Sequence, residues 1–191
     1  PRKPNSILFG GVMRARKNVL GLVNAFATVR AQLPDASLQI AGPIIEPDYL
    51  AKVEARIREL NLGDAVTLLG HVSNEALIDA MASAAVLALF SYEETLPTVI
   101  AQAMATGTPV VASDVGGIGE MVIDGETGWK VAPGDEGALA QRLLEVLKSP
   151  DLAREMGARG RAASMARFAA SAVANNTVAA YRAALAQNAG K

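Results

Sequence analysis
No cysteine occurs among the 191 residues, which excludes disulfides, thiol nucleophiles and thiolate metal sites. There is a single histidine, His71. A His-based metal centre or a Ser-His-Asp triad would have to rest on it alone, and no partner set stands at a defensible spacing for either. An excess of one charge is also lacking: 18 Lys and Arg against 19 Asp and Glu leave a formal net charge of −1 at pH 7. That balance argues against a nucleic-acid groove and against a polybasic membrane patch. No apolar run approaches the roughly eighteen residues that span a bilayer, and no signal peptide is visible. Internal repeats and low-complexity segments are missing too, although alanine and arginine become dense beyond Asp151. The chain starts at Pro1 without methionine and enters a strand pattern within a few residues. The expectation is an excised domain or processed product of a cytoplasmic parent, with peripheral attachment of that parent to the inner membrane left open.

What is present is a chain 51% hydrophobic and 19% charged, long enough for one α/β domain with a sizeable core. Its organising stretch runs from Ala84 to Asp114. Ala84–Phe90 is an apolar run that reads as a buried strand. A polar loop with Glu93 and Glu94 follows, and then a helix with Pro97 in its first turn and Gly107 at C′. Pro109–Ser113 resumes as a second buried strand. Strand, loop, helix and strand over about thirty residues make a βαβ unit whose loop opens at the carboxyl end of the sheet. The free N–H groups and about half a positive charge at the helix amino end suit a phosphate. A carboxylate beside them suits a sugar hydroxyl. Solvated loop acids on an ordinary α/β scaffold would explain the same stretch.

Four more strands are expected, at Ser6–Val12, Ser37–Gly42, Ala65–Gly70 and Trp129–Ala132. Helices are expected from Asn18 (apolar positions Val19, Leu22, Val23, Phe26, Val29, Leu33), over Tyr49–Leu60, after a Ser73 N-cap, over Glu120–Ile123, and from Asp135 to about Leu147. Two further helices are expected at about 151–165 and 170–186, the last with Val173, Thr177, Ala180, Tyr181, Ala184 and Leu185 on one face. The alternation predicts a doubly wound, mostly parallel six-stranded sheet with C-terminal helices. A ligand is then expected at the strands' carboxyl ends, where the loops carry Gly11 and Lys17, His71, Glu93–Thr98 and Gly116–Gly119. Asp114 and Asp124 lack partners for a metal.

Six spaced motifs come in a familiar order: Phe9-Gly-Gly-Val-Met-Arg-Ala-Arg-Lys17, Gly70-His-Val-Ser73, Glu94 with Gln102-Ala-Met-Ala105, Gly107-Thr-Pro-Val-Val-Ala-Ser113, Gly116-Gly-Ile with Glu120, and Asp124-Gly with Thr127-Gly128. Over about residues 6–185 the chain resembles the carboxyl-terminal, donor-binding half of the group 1 glycosyltransferases, the retaining GT-B class also called family 4. The resemblance implies a Rossmann-like half of a GT-B fold: a donor domain over 1–165, and a helical tail over 166–191 that packs on an amino-terminal acceptor domain. It implies a nucleoside-diphosphate sugar as donor substrate, no cofactor and no metal. It places Gly11 and Lys17 by the diphosphate, Glu94 on the donor-sugar hydroxyls, Leu96, Pro97 and Thr98 by phosphate and sugar, His71 near the nucleobase and position 102 on the ribose. Lys17 and Glu94 take the catalytic roles.

Two positions depart from that pattern. Val12 stands where the family has arginine, and Gln102 stands where it has a second glutamate. A glutamine carbonyl still accepts from one ribose hydroxyl but gives up a charge-assisted bond, a loss of about tenfold. Valine removes a phosphate clamp that lysine does not fully replace. Should the first strand run on two residues, Arg14 would share Val12's face about 7 Å away and supply the missing cation. Three readings follow: the donor half of a transferase, inactive in isolation; a degenerate nucleotide-sugar-binding or scaffolding module; and an epimerase or phosphorylase on the same fold.

Overall fold
A computed structural model describes residues 2–188. Six parallel strands form one sheet in the order β3-β2-β1-β4-β5-β6: β1 (Ser6–Gly10), β2 (Ser37–Ala41), β3 (Val66–Gly70), β4 (Val86–Leu89), β5 (Val110–Ser113) and β6 (Trp129–Val131). The central strands are buried on both faces, so β1, β4 and β5 read as continuous apolar runs rather than alternations. The order reverses between β1 and β4, which pair at Ile7–Val86 and Leu8–Leu87. The crevice between the loops following these two strands is therefore the sheet's switch point.

The helices are α1 (Val19–Gln32), α2 (Pro47–Glu59), α3 (Asn74–Ser83), α4 (Thr98–Ala105), α5 (Ile118–Met121), α6 (Glu136–Lys148), α7 (Pro150–Phe168) and α8 (Ala170–Asn188). Several start where a short polar side chain caps the first turn. Asn18 accepts from Gly21 N–H, Ser73 from Ala76 N–H and Asp135 from Ala138 N–H. Gly107, at φ +74°, closes α4 in the left-handed conformation. Phe9, Phe26, Phe90, Ile100 and Met104 are fully buried between the sheet and its flanking helices.

Two local expectations shift. The short helix spans Ile118–Met121 rather than Glu120–Ile123, because Gly117 already caps it. The proline before α4 is its N-cap, and Thr98 is the first helical residue. At the carboxyl end α7 runs unbroken through 165/166 to Phe168, and the break comes at Ala169 in extended conformation. α7 packs on the domain so closely that a Cβ on Gly157 would stand 2.0 Å from the Gly107 carbonyl oxygen. α8 buries none of its described side chains: Val173, Val178, Tyr181 and Leu185 are all exposed.

Candidate functional site at the sheet switch point
The loop after β1 leaves the sheet at Gly11, whose N–H donates to Ala41 O at 2.9 Å. The continuous strand ends at Gly10, but Met13 makes an isolated parallel bridge to Ile44, its N–H donating to Pro43 O at 2.8 Å. Arg14 is extended, and its guanidinium lies on Glu46 (Nε to Oε1, 3.3 Å). Glu46 Oε2 also accepts from Ala15 N–H at 2.8 Å, so one carboxylate from the β2–α2 loop fixes the start of the single 3-10 turn Ala15–Lys17. Both side chains of the Arg14–Glu46 pair are 38% exposed, so this contact lies at the surface of the loop.

The same turn aims Lys17 at the loop after β4. Lys17 Nζ donates to Glu94 Oε1 at 2.5 Å, with the two side chains only 10% and 5% exposed. Ser91, fully buried, donates to the same oxygen at 2.7 Å. Glu94 Oε2 has no hydrogen-bond partner among the described residues. Backbone contacts join the two loops as well: Tyr92 N–H donates to Arg16 O at 2.8 Å, and Arg16 Nη1 to Glu93 O at 3.0 Å. Glu93 itself points into solvent. Lys17 and Glu94 thus meet in one nearly buried ion pair between the two loops.

A third loop supports the second from behind. Gly117 N–H donates to Thr95 O at 2.8 Å. A Cβ on Gly116 would lie 1.7 Å from Glu94 O, and Gly116 has φ +51°. Only glycine satisfies both conditions, so the glycine turn is a backing plate for Glu94. Gly42 does the same for the first loop: its Cβ would stand 1.8 Å from Gly11 O, at φ +148°.

Two helix amino ends open into this crevice, and they differ. In α1, Asn18 takes the Gly21 N–H and the Tyr49 hydroxyl takes the Leu20 N–H at 3.0 Å. Burial raises the Tyr49 phenol above its ordinary value, an effect opposed by the Leu20 and Val19 backbone N–H groups. In α4 the N-cap is Pro97, which has no side-chain cap, and the Thr98 and Val99 N–H groups have no acceptor among the described residues. The amino end of α4 is therefore free to meet an anion beside Lys17.

The remaining positions lie around these. Gly11, Val12, Gly42, His71 and Asn74 line a hollow of about 290 Å³ at the ends of β1–β3. Leu96 and Thr98 are exposed at the mouth of the second loop, and Pro97 is buried. Gln102, one turn into α4, donates to Asn74 Oδ1 at 3.1 Å. Ser91, Glu46, Tyr49 and Asn74 escaped sequence reasoning, since each acts through a partner at least three residues away and mostly in another loop. Only Ser91 carried a signal, as a hydroxyl directly at the end of an apolar strand. No group of three or more metal-ligating side chains occurs among the described residues, and none of the described helices is long and apolar enough to cross a membrane.

Comparison with known proteins assigns the scaffold. The family described as "Glycosyl transferases group 1" matches residues 1–163. Glycogen synthase of Mycobacterium tuberculosis (strain ATCC 25618 / H37Rv) is 32% identical over 181 residues, which cover 95% of this chain and 43% of that protein. MMP alpha-(1->4)-mannosyltransferase of Mycolicibacterium hassiacum is 36% identical, with 90% of this chain and 41% of that one covered. Among solved structures, sucrose-phosphate synthase from Thermosynechococcus elongatus superposes with a TM-score of 0.86 at 35% identity, over 98% of this chain and 47% of that one. The chain spans less than half the length of each of these relatives, and the half it matches is the carboxyl-terminal one. With the parallel sheet, the glycine-backed loops and the Lys17–Glu94 pair in place, the chain belongs to the group 1 glycosyl transferases.

Proposed function
We propose that the chain is the donor-binding half of a retaining glycosyltransferase, holding a nucleoside-diphosphate sugar for transfer to an acceptor carried by a second domain. The observation that carries this reading is the convergence of Lys17 and Glu94, 2.5 Å apart, beside the uncapped amino end of α4. The diphosphate lies against the Thr98 and Val99 N–H groups and the Lys17 ammonium. As the sugar–oxygen bond breaks, charge grows on the departing phosphate, and these fixed donors stabilise it without reorganising. Glu94 keeps Oε2 for a sugar hydroxyl, while Oε1 stays on Lys17 and Ser91. The Leu96 and Pro97 backbone flanks phosphate and sugar, proline offering only its carbonyl. The nucleobase takes the hollow beside Gly11, Val12 and the His71 backbone, with Gln102 toward the ribose.

Neither the general chemistry nor the acceptor is complete in this chain. Alone it binds donor and turns nothing over, and the exposed face of α8, within the tail from 166 onward, is the surface that meets the second domain. The named activities of the relatives, a glycogen synthase, a mannosyltransferase and a sucrose-phosphate synthase, support sugar transfer as the parent's reaction. Titration calorimetry with UDP, GDP, ADP and their sugars tests the reading: micromolar binding of one of them, lost in Lys17→Ala, is the expected result. Silence across the panel refutes it for this chain. A second reading, a scaffolding module that has given up the donor, is favoured by one observation: Val12 brings no cation, and Glu46 holds the Arg14 guanidinium.

A further inference from the structure
A second hollow lies at the amino ends of the strands, at the far end of the sheet from the switch-point crevice. Residues 2–5 lead into β1 beside Ala85, which stands just before β4, and the turn from α6 to α7 comes up against them. The space between them is about 430 Å³, within the roughly 300–1,000 Å³ of small-molecule sites. Its wall is apolar: Pro4, Ala85, Val146, Leu147, Pro150 and Ala153. Its charged lining residues are Arg2, Lys3 and Arg154, all cations. In a chain whose acids outnumber its bases by one, such a cluster around an apolar hollow is a local excess of positive charge, complementary to an anion.

Internal contacts do not use these cations up. Arg2 Nη1 donates to Met81 O (3.3 Å), Ala84 O (2.8 Å) and Thr108 Oγ1 (2.7 Å), and Nη2 donates to Thr106 O (3.0 Å). These bonds close the carboxyl ends of α3 and α4, which is reason enough for an arginine here. They leave part of it unused. A guanidinium carries five N–H donors, and the Nε–H and one Nη2–H have no acceptor among the described residues. None of the four acceptors is a carboxylate. Lys3 pairs with no carboxylate among the described residues. Arg154 meets Asp151 at 2.7 Å, but with side chains 73% and 84% exposed that pair is readily exchanged for another anion.

We propose that this hollow binds a small amphiphilic anion, with its phosphate or carboxylate head on Arg2, Lys3 and Arg154 and its aliphatic body against the wall from α6 and α7. The site is separate from the donor crevice and does not rest on the donor-binding reading. Head and body are both required. A bare phosphate leaves the apolar wall in water. A sugar phosphate sets hydroxyls against Val146, Leu147 and Ala153, which offer them no side-chain partner. The one uncharged polar side chain in the lining, Asn5, already has its Nδ2 on Asp35 at 2.9 Å.

The test is calorimetry on the 191-residue chain with butyl, hexyl and octyl phosphate, octanoate, inorganic phosphate and octanol, all below micellar concentrations. The alkyl phosphates are expected to tighten by about tenfold for each added pair of methylenes until the hollow is full. Inorganic phosphate and octanol should each bind at least about tenfold more weakly than octyl phosphate. The tighter of octyl phosphate and octanoate identifies the head. The double variant Lys3→Gln with Arg154→Gln changes only exposed side chains, so its fold is kept, and it should weaken octyl phosphate by about tenfold without changing octanol. Silence from both octyl anions overturns the site. So does equal affinity for octanol and octyl phosphate, an affinity that ignores chain length, or octyl phosphate binding that survives the double variant.

Discussion

Replacing Lys17 with methionine removes the ammonium and keeps most of the aliphatic stem, so the cost falls on the charge left behind. Exposed ion pairs contribute about 0.2–1 kcal/mol, whereas breaking a buried one costs about 3–5 kcal/mol because the remaining ion is uncompensated. At 10% and 5% side-chain exposure, the Lys17–Glu94 pair belongs to the second class. In Lys17→Met the Glu94 carboxylate keeps only the Ser91 hydroxyl on Oε1. For a chain of this size each kcal/mol lowers the melting temperature by about 2–4 °C, so a fall of about 6–20 °C is expected in calorimetric or circular-dichroism melts. The double variant Lys17→Met with Glu94→Gln has no stranded charge, and its glutamine still accepts from Ser91. It should recover most of the loss, giving a coupling of about 2–3 kcal/mol in a double-mutant cycle. A Lys17→Met melt within about 1 °C of the parent, or strictly additive single effects, would refute the argument that this pair is held out of water.

Gly116→Ala places a methyl group 1.7 Å from Glu94 O at φ +51°; a loss of more than about 3 kcal/mol in urea unfolding is expected, and a neutral result would show that the backing plate gives way. Tyr49→Phe deprives the Leu20 N–H of its acceptor at the start of α1 and should cost about 1 kcal/mol by the same measurement. Ending the chain at Ala169 removes α8, whose described side chains are unburied. The melting point should then stay within about 2 °C, less than one kcal/mol on the scale for a chain of this length, and a larger fall would mean that α8 docks on this domain.

The strand–helix alternation was legible because β1, β4 and β5 are apolar apart from a terminal serine in β1 and β5, and the helices between them announce their ends. Asn18, Ser73, Asp135 and Gly107 do as local chemistry predicts. Errors stayed at boundaries, as where Gly117 starts α5 two residues early. The site was legible by residue type but not by partner. Lys17 and Glu94 are 77 positions apart, and nothing local says that one neutralises the other. Nor does any periodicity say that Glu46 captures Arg14, that Tyr49 closes the amino end of α1, or that Asn74 meets Gln102.

Those long-range contacts separate two kinds of constraint. The loops are located by backbone approaches, Gly42 on Gly11 O, Gly116 on Glu94 O and Gly117 N–H on Thr95 O. The Lys17–Glu94 pair adds a side-chain link, but the side chains of Val12 and Gln102 take no part in these contacts. Positions 12 and 102 can therefore change chemistry without moving the crevice, since Val12 and Gln102 alter what the walls offer and leave the walls in place. Loops located by glycines and carbonyls leave the side chains at positions 12 and 102 free to vary, and this is how the chain keeps the family's architecture whatever those two positions carry.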